Sequence, residues 1–81
     1  MPKFMDVHTS LKLPPEAIAD LRKATAAREK DEFGVTQLEL YYNDDGMVYC
    51  LLDAPDAESV IKHHEGAGIS CEAVHQVNSL L

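Results

Sequence analysis

The stretch VTQLELYYNDDGMVYCLLD, residues 35–53, contains two apolar-rich runs separated by a short polar segment. The first run, 35–43, alternates between apolar and polar residues as a half-buried strand does, and the second, 47–53, is nearly all apolar, as in a central strand. Between them, the Asp45-Gly46 step tolerates positive φ angles and favours a tight turn. This stretch therefore predicts a β-hairpin, which sets the fold of the whole chain.

One strand and one helix are predicted before the hairpin. Residues 3–9 alternate as a half-buried strand does. A helix is expected from Pro15, because proline is tolerated in the first helical turn, and its apolar residues recur at spacings of three and four as far as about Asp31. Gly34 is expected to end this helix. The N-terminal half therefore supplies a β-α unit.

A second helix and a last strand are predicted after the hairpin. Asp56 is a suitable N-cap for a helix over 57–65, and the glycines that follow can end it. Residues 70–77 then form a strand. The resulting order, βαββαβ, predicts an α+β, ferredoxin-like sandwich in which two helices cover one face of a four-stranded antiparallel sheet with the spatial order 4-1-3-2.

The length and charge of the chain limit its partners. Its 81 residues predict a single domain over 1–81, and the net charge of -7 disfavours nucleic acid, whose phosphates require Lys and Arg. No run approaches the ~20 apolar residues that a membrane-spanning helix needs, and the first residues lack the apolar core of a signal peptide. We therefore expect a cytoplasmic protein with reduced cysteines and no membrane or nucleic-acid partner.

The second face of the predicted sheet is not covered by helices. Such a face either stays polar or packs on another subunit. The apolar residues Phe4, Tyr41, Leu51 or Leu52, and Val77 are assigned to it. They predict a symmetric homodimer that covers this face.

The predicted topology also brings histidines together. Because the end of the first strand meets the end of the second helix, His8, His63 and His64 are expected at one edge of the domain. Adjacent residues on a helix point about 100° apart, so only one of His63 and His64 is an easy partner for His8 within one subunit. The alternative is that both are solvated at the helix C-terminus, where protonated imidazole is favourable.

Three further residues are candidate ligands, of which Glu72 is expected near the same edge. Asp6 is an unusual residue for a strand and is costly if buried without a partner. Cys50 and Glu72 are weaker candidates, because a cysteine in an apolar strand such as Cys50 is more often a small core residue than a ligand. Imidazole, carboxylate and thiolate together suit nickel, zinc, copper or cobalt better than magnesium or calcium. The metal candidates are therefore His8 and His63 first, followed by His64, Asp6, Cys50 and Glu72.

Motifs of known catalytic sites are absent from the sequence. It contains no Gly-rich phosphate loop, HExxH, CxxC or nucleophile elbow, so no catalytic residue is assigned. Two alternatives to metal binding stay open. One is a small dimeric enzyme of the oxygenase or isomerase type, which requires a cavity between the helices and the sheet. The other is a module that binds an organic ligand or a protein without a metal.

Three segments carry a resemblance to a known family. They are MDVH at 5–8, VYCLLDAPDAESVIKHH at 48–64 and AGISCEAVHQV at 67–77. Together they resemble a family of small bacterial ferredoxin-like proteins, formally a domain of unknown function, whose best-understood member type binds nickel. The most specific positions are Tyr49, Cys50, Ala54, Pro55, Asp56, His63, Gly68, Ile69 and Glu72. Because this chain has Asp6 and His8, the resemblance implies that it belongs to the metal-binding subset of the family.

The resemblance implies a nickel-binding homodimer that acts in metal sequestration or in a response to excess nickel, without catalysis. The residues alone do not exclude zinc or copper. Because a histidine ligand must be neutral, and its ordinary pKa is about 6.5, nickel binding is expected to weaken below about pH 6.

Overall fold

The computed structural model describes residues 2–9, 11, 13–66, 68–69 and 73–80. Six elements follow one another in the order that the sequence predicts. They are β1 (Lys3–His8), α1 (Pro15–Ala27), β2 (Thr36–Tyr42), β3 (Val48–Asp53), α2 (Ala57–Gly66) and β4 (Ala73–Val77). The predicted α+β, ferredoxin-like fold is confirmed. Residues 70–72 of the predicted last strand lie outside the described residues.

The four strands form one antiparallel sheet in the order β2-β3-β1-β4, as predicted. The central pair is β1 and β3, in which Asp6 lies opposite Cys50 and His8 lies opposite Val48. Because side chains alternate along a strand, Phe4, Asp6 and His8 share one face of β1, and all three are buried. The buried residues of β1 and β3 therefore define the face on which the helices pack.

The predicted hairpin turn is confirmed in detail. The side-chain oxygen of Asn43 accepts hydrogen bonds from the backbone N–H groups of Asp45 and Met47, at 3.0 and 3.2 Å. Gly46 has a φ angle of 84°, which a residue without a Cβ adopts at little cost. The turn thus holds β2 and β3 in register by its own polar groups.

The hairpin departs from the prediction within β2. The pairing with β3 shifts its register between Gln37 and Glu39, as at a β-bulge. The uninterrupted alternation expected over 35–43 is therefore wrong at this point. Beyond the bulge the alternation is regular, with Leu40 opposite Cys50 and Tyr42 opposite Val48.

Helix α1 ends earlier than predicted. Its last residue is Ala27, and Arg28 adopts the left-handed conformation with φ 53° and ψ 43°. The backbone N–H of Arg28 donates to the carbonyl of Thr25, which satisfies one of the last carbonyls of the helix. The extension to about Asp31 and termination at Gly34 are therefore wrong, because a non-glycine residue already reverses the chain at 28.

The core lies between the sheet and the helices. It contains Phe4, Val35, Val48, Cys50, Leu52, Ala54 and Val60. The assignment of Phe4 to the open face is wrong, since it is 3% exposed and faces the helices with Asp6. Leu52 is fully buried as well, so Leu51 is the member of that pair that remains on the open face.

The start of α2 agrees with the prediction. The carboxylate of Asp56 accepts a hydrogen bond of 2.8 Å from the backbone N–H of Ser59. This bond satisfies one of the unpaired donors at the helix N-terminus. From this fixed start, the helical period determines which side chains of α2 reach the sheet.

Candidate metal centre

Strand β1 contributes two polar side chains to the interior. Asp6 and His8 are 0% and 3% exposed, although aspartate is usually found at the surface and histidine is intermediate in burial. Both point inward because they share the face of Phe4, and the apolar residues Met5 and Val7 occupy the opposite face. Asp6 and His8 therefore lie in the core because side chains alternate between the two faces of β1.

Helix α2 contributes the third polar side chain. Val60 and His64 are one helical turn apart and are the buried residues of α2, at 0% and 5% exposure. Val60 packs in the core, and His64 meets the inward side of β1. The expected meeting between the end of the first strand and the end of the second helix is confirmed, because the rings of His8 and His64 are 5.1 Å apart.

The three side chains form one compact cluster. Nε2 of His64 lies 2.7 Å from Oδ2 of Asp6, and Nε2 of His8 lies 3.5 Å from Oδ1 of the same carboxylate. One potential ligand atom from each of these three residues lies within 4.8 Å of the others. The carboxylate is thus placed between two imidazole rings.

The Asp6 carboxylate is poorly satisfied despite these contacts. Although His64 is close, neither Asp6 oxygen accepts a hydrogen bond of good geometry from any residue that the structure describes. A buried carboxylate whose hydrogen bonds are incomplete carries a desolvation penalty. A cation between the carboxylate and the two rings would compensate this charge.

A backbone carbonyl sets the orientation of His64. The Nδ1–H group of His64 donates to the carbonyl of Val60 at 2.8 Å. A carbonyl can only accept, so the proton of the neutral ring is on Nδ1, and the lone pair is on Nε2, next to Asp6. This arrangement is the usual support of a metal-bound histidine, in which the second ring nitrogen is held by an acceptor.

The same contacts affect the protonation of His64 when no cation is bound. Burial alone would lower the pKa of His64, but the Asp6 carboxylate and the Val60 carbonyl outweigh it and hold the pKa above the ordinary 6.5. A proton on Nε2 therefore compensates part of the Asp6 charge. A metal ion and this proton would occupy the same position and compete for it.

His63 lies outside this cluster. Its Nδ1 contacts Oδ2 of Asp31, in the segment between α1 and β2, and both side chains are partly exposed. The other Asp31 oxygen accepts the backbone N–H groups of Phe33 and Val35, each at 2.9 Å. Burial alone would raise the pKa of Asp31, but the bonds from His63 and from these N–H groups hold it below the ordinary 3.8. The structure thus places His64 with His8, and His63 with Asp31.

The remaining candidates differ in position. Cys50 is a buried thiol of the core and lies opposite Asp6 in the sheet, but it is not part of the cluster of three ligand atoms. Glu72 lies outside the described residues. Of the six predicted ligands, the structure therefore brings together Asp6, His8 and His64.

The sequence interpretation missed two groups that organise these histidines, Asp31 and the carbonyl of Val60. A signal existed for each of them. An aspartate followed three residues later by glycine is typical of a turn that its carboxylate caps, as at Asp31 and Gly34. The spacing of Val60 and His64 places the second histidine on the apolar side of α2.

Fold and site together define a small ferredoxin-like protein with a buried histidine-carboxylate cluster. The profile of the family described as "Nickel responsive protein SCO4226-like" matches residues 4–77, and the chain belongs to this family. The fold is also similar to that in "Crystal structure analysis of SCO4226 from Streptomyces coelicolor A3(2)". That similarity has a TM-score of 0.74 and 32% identity, over 98% of this chain and 99% of the other.

No curated protein sequence matches the chain. Among the described residues, no helix has the length and apolar character needed to cross a membrane.

Proposed function

We propose that this protein binds nickel through Asp6, His8 and His64. The observation that carries the proposal is the fully buried Asp6 carboxylate, which lacks hydrogen bonds from described residues and lies between two imidazole rings. Two ring nitrogens and one carboxylate oxygen suit nickel, zinc or copper better than calcium or magnesium. Membership of a nickel-responsive family favours nickel among these ions.

The cluster suits a metal ion in the chemistry of its ligand atoms and in the hydrogen bond that orients His64. The hydrogen bond from His64 to Val60 leaves Nε2 available as a ligand, and burial excludes water that would weaken the attraction between Asp6 and a cation. With binding of this kind, we propose a role in metal sequestration or in the response to excess nickel in the cytoplasm.

We further propose that the protein acts as a symmetric homodimer. On the open face of the sheet, Met5 lies opposite Leu51 and Tyr49 lies opposite both Val7 and Tyr41. Tyr41 and Tyr49 are 56% and 36% exposed, and tyrosines are common at subunit interfaces. Light scattering should give twice the monomer mass for the wild type and the monomer mass for Tyr49→Glu.

Calorimetry with nickel, zinc and copper tests the metal proposal. Asp6→Asn and His64→Ala should each weaken nickel binding by at least about tenfold. Removing a group that only hydrogen-bonds to a metal ligand already lowers metal affinity by about that factor, and removing a ligand itself lowers it more. His63→Ala should retain the wild-type affinity if the buried cluster is the site. The exposed His75 supplies a matched control, His75→Ala, which removes the same side chain from the open face.

Two results would contradict this proposal. Equal and weak binding by the wild type and all variants would exclude a specific metal site. A loss of binding in His63→Ala, with normal binding in His64→Ala, would move the site to His63 and Asp31. Circular dichroism of each metal-free variant verifies that it is folded.

A further inference from the structure

A groove runs between α1 and β2, away from the buried cluster. Its main part has a volume of about 350 Å³ and is lined by Leu13, Ile18, Leu21, Thr25, Leu40 and Tyr42, with Arg22 beside them. A second part of about 280 Å³ shares Leu13, Ile18 and Tyr42 and extends to Asp44 in the hairpin turn. The two parts therefore form one elongated groove along the helix.

Helix α1 leaves this groove open because it packs loosely on the sheet. None of its residues, all of which the structure describes, is buried. Ile18, Leu21 and Thr25 nevertheless recur at spacings of three and four and form the apolar side of the helix. Apolar surface that stays in water on both walls of a groove favours an occupant with an apolar body.

The charge beside the groove determines the polar end of that occupant. Four of the seven basic residues of this acidic chain lie within residues 22–30. Arg22 belongs to this group, lines the main part of the groove and forms no ion pair with any described residue. Asp44 lies at the other part and disfavours an anion there. The complementary group is therefore an anion at the Arg22 end.

We propose that the groove binds a medium-chain alkyl carboxylate, with the carboxylate at Arg22 and the alkyl chain along Ile18 and Leu21. Arginine is suited to a carboxylate because its planar N–H groups match both oxygens. The volume lies in the range of small-molecule sites, and the elongated shape suits a chain better than a fused ring system. This ligand site is separate from the metal cluster, which lies on β1, two strands from β2.

Titration with decanoate, below the concentration at which it forms micelles, tests this proposal by NMR of the ¹⁵N-labelled full chain. The expected result is saturable shift changes at residues of α1 and β2. Arg22→Gln should weaken the binding by about tenfold, the effect of one charge-assisted contact. Lys23→Gln is the matched control, because it removes the same charge from the adjacent exposed position outside the groove, and it should bind like the wild type.

Four outcomes would overturn the proposal. Absence of saturable shifts would exclude the alkyl carboxylate. Equal affinity for decanoate and decyltrimethylammonium, or equal weakening by the two substitutions, would show that Arg22 does not recognise the carboxylate. Shift changes of the same α1 and β2 residues on raising the protein concentration, without ligand, would show that a second copy occupies the groove instead.

Discussion

The two helices cover two halves of the same sheet face but differ in what lies beneath them. Under α2, a polar cluster of Asp6, His8 and His64 is closed off from water. Under α1, an apolar groove stays open, and the helix has no buried residue. The half of the sheet under α2, which holds the charged cluster, is therefore more closely covered than the half under α1. The proposed cation site therefore lies in the closed half under α2, and the proposed ligand groove lies in the open half along α1.

The largest change in stability is expected when the buried polar cluster under α2 is replaced by apolar residues. The double substitution Asp6→Leu with His64→Leu should raise the free energy of unfolding of the metal-free protein by about 1–4 kcal/mol, because a buried ion pair is often less stable than apolar residues of similar volume. Nickel binding should be lost. Urea unfolding in the presence of a chelator measures the first effect, and calorimetry measures the second. A destabilised double variant would show that the polar cluster stabilises the fold.

A cavity in each half should reveal the difference in packing directly. Val60→Ala removes core atoms under α2 and should lower the free energy of unfolding by about 2 kcal/mol, whereas Leu21→Ala on α1 should cost about 1 kcal/mol or less, although it removes more atoms. Val60 is fully buried and Leu21 is only partly buried. Urea unfolding of both variants measures the difference. Equal losses would mean that α1 packs as tightly as α2.

A smaller effect is expected from pH, through the single proton of His64. Its pKa in the folded protein is above the ordinary 6.5, so its contribution to stability is complete below pH 6.5 and is lost as the pH rises through the folded-state value. The metal-free wild type should therefore lose stability across this window, and His64→Gln should not. Unfolding between about pH 5 and 8 measures this dependence.

Nickel affinity should change with the opposite sign, because the proton must leave Nε2 before the metal binds. Affinity should rise with pH through the same window and weaken as the pH falls below it, as the ordinary histidine pKa already predicts. Calorimetry in buffers of different ionisation enthalpy measures the proton release. A pH-independent affinity would contradict histidine ligation.

The smallest change in stability is expected when the groove between α1 and β2 is filled. Thr25→Leu adds apolar atoms to a wall of the groove and should raise the free energy of unfolding by about 0.5–1 kcal/mol, since each buried methylene contributes about 0.8 kcal/mol. The same variant should bind decanoate more weakly than the wild type. Thr25→Ala, which raises the helix propensity at the same position without filling the groove, is the control. Equal stabilisation by both would assign the effect to helix propensity.

Much of the fold was predictable because it depends on local patterns. The alternation of β1, the Asp-Gly turn of the hairpin and the cap at Asp56 each act over a few residues, and each is present as predicted. The end of α1 was not predictable in this way, since Arg28 takes a conformation that glycine or asparagine usually supplies. The bulge in β2 depends on pairing with β3, which no single strand determines.

By itself, the sequence determined the order of the elements and the edge at which strand β1 and helix α2 meet. Only the tertiary structure decided which of the adjacent histidines reaches Asp6. The helical period directs His63 and His64 to different sides, and the packing of Val60 in the core turns His64 inward and leaves His63 with Asp31. Burial depends on contacts between residues that are distant in the sequence. Such contacts also determine whether a carboxylate such as Asp6 is solvated or is buried and needs a compensating positive charge.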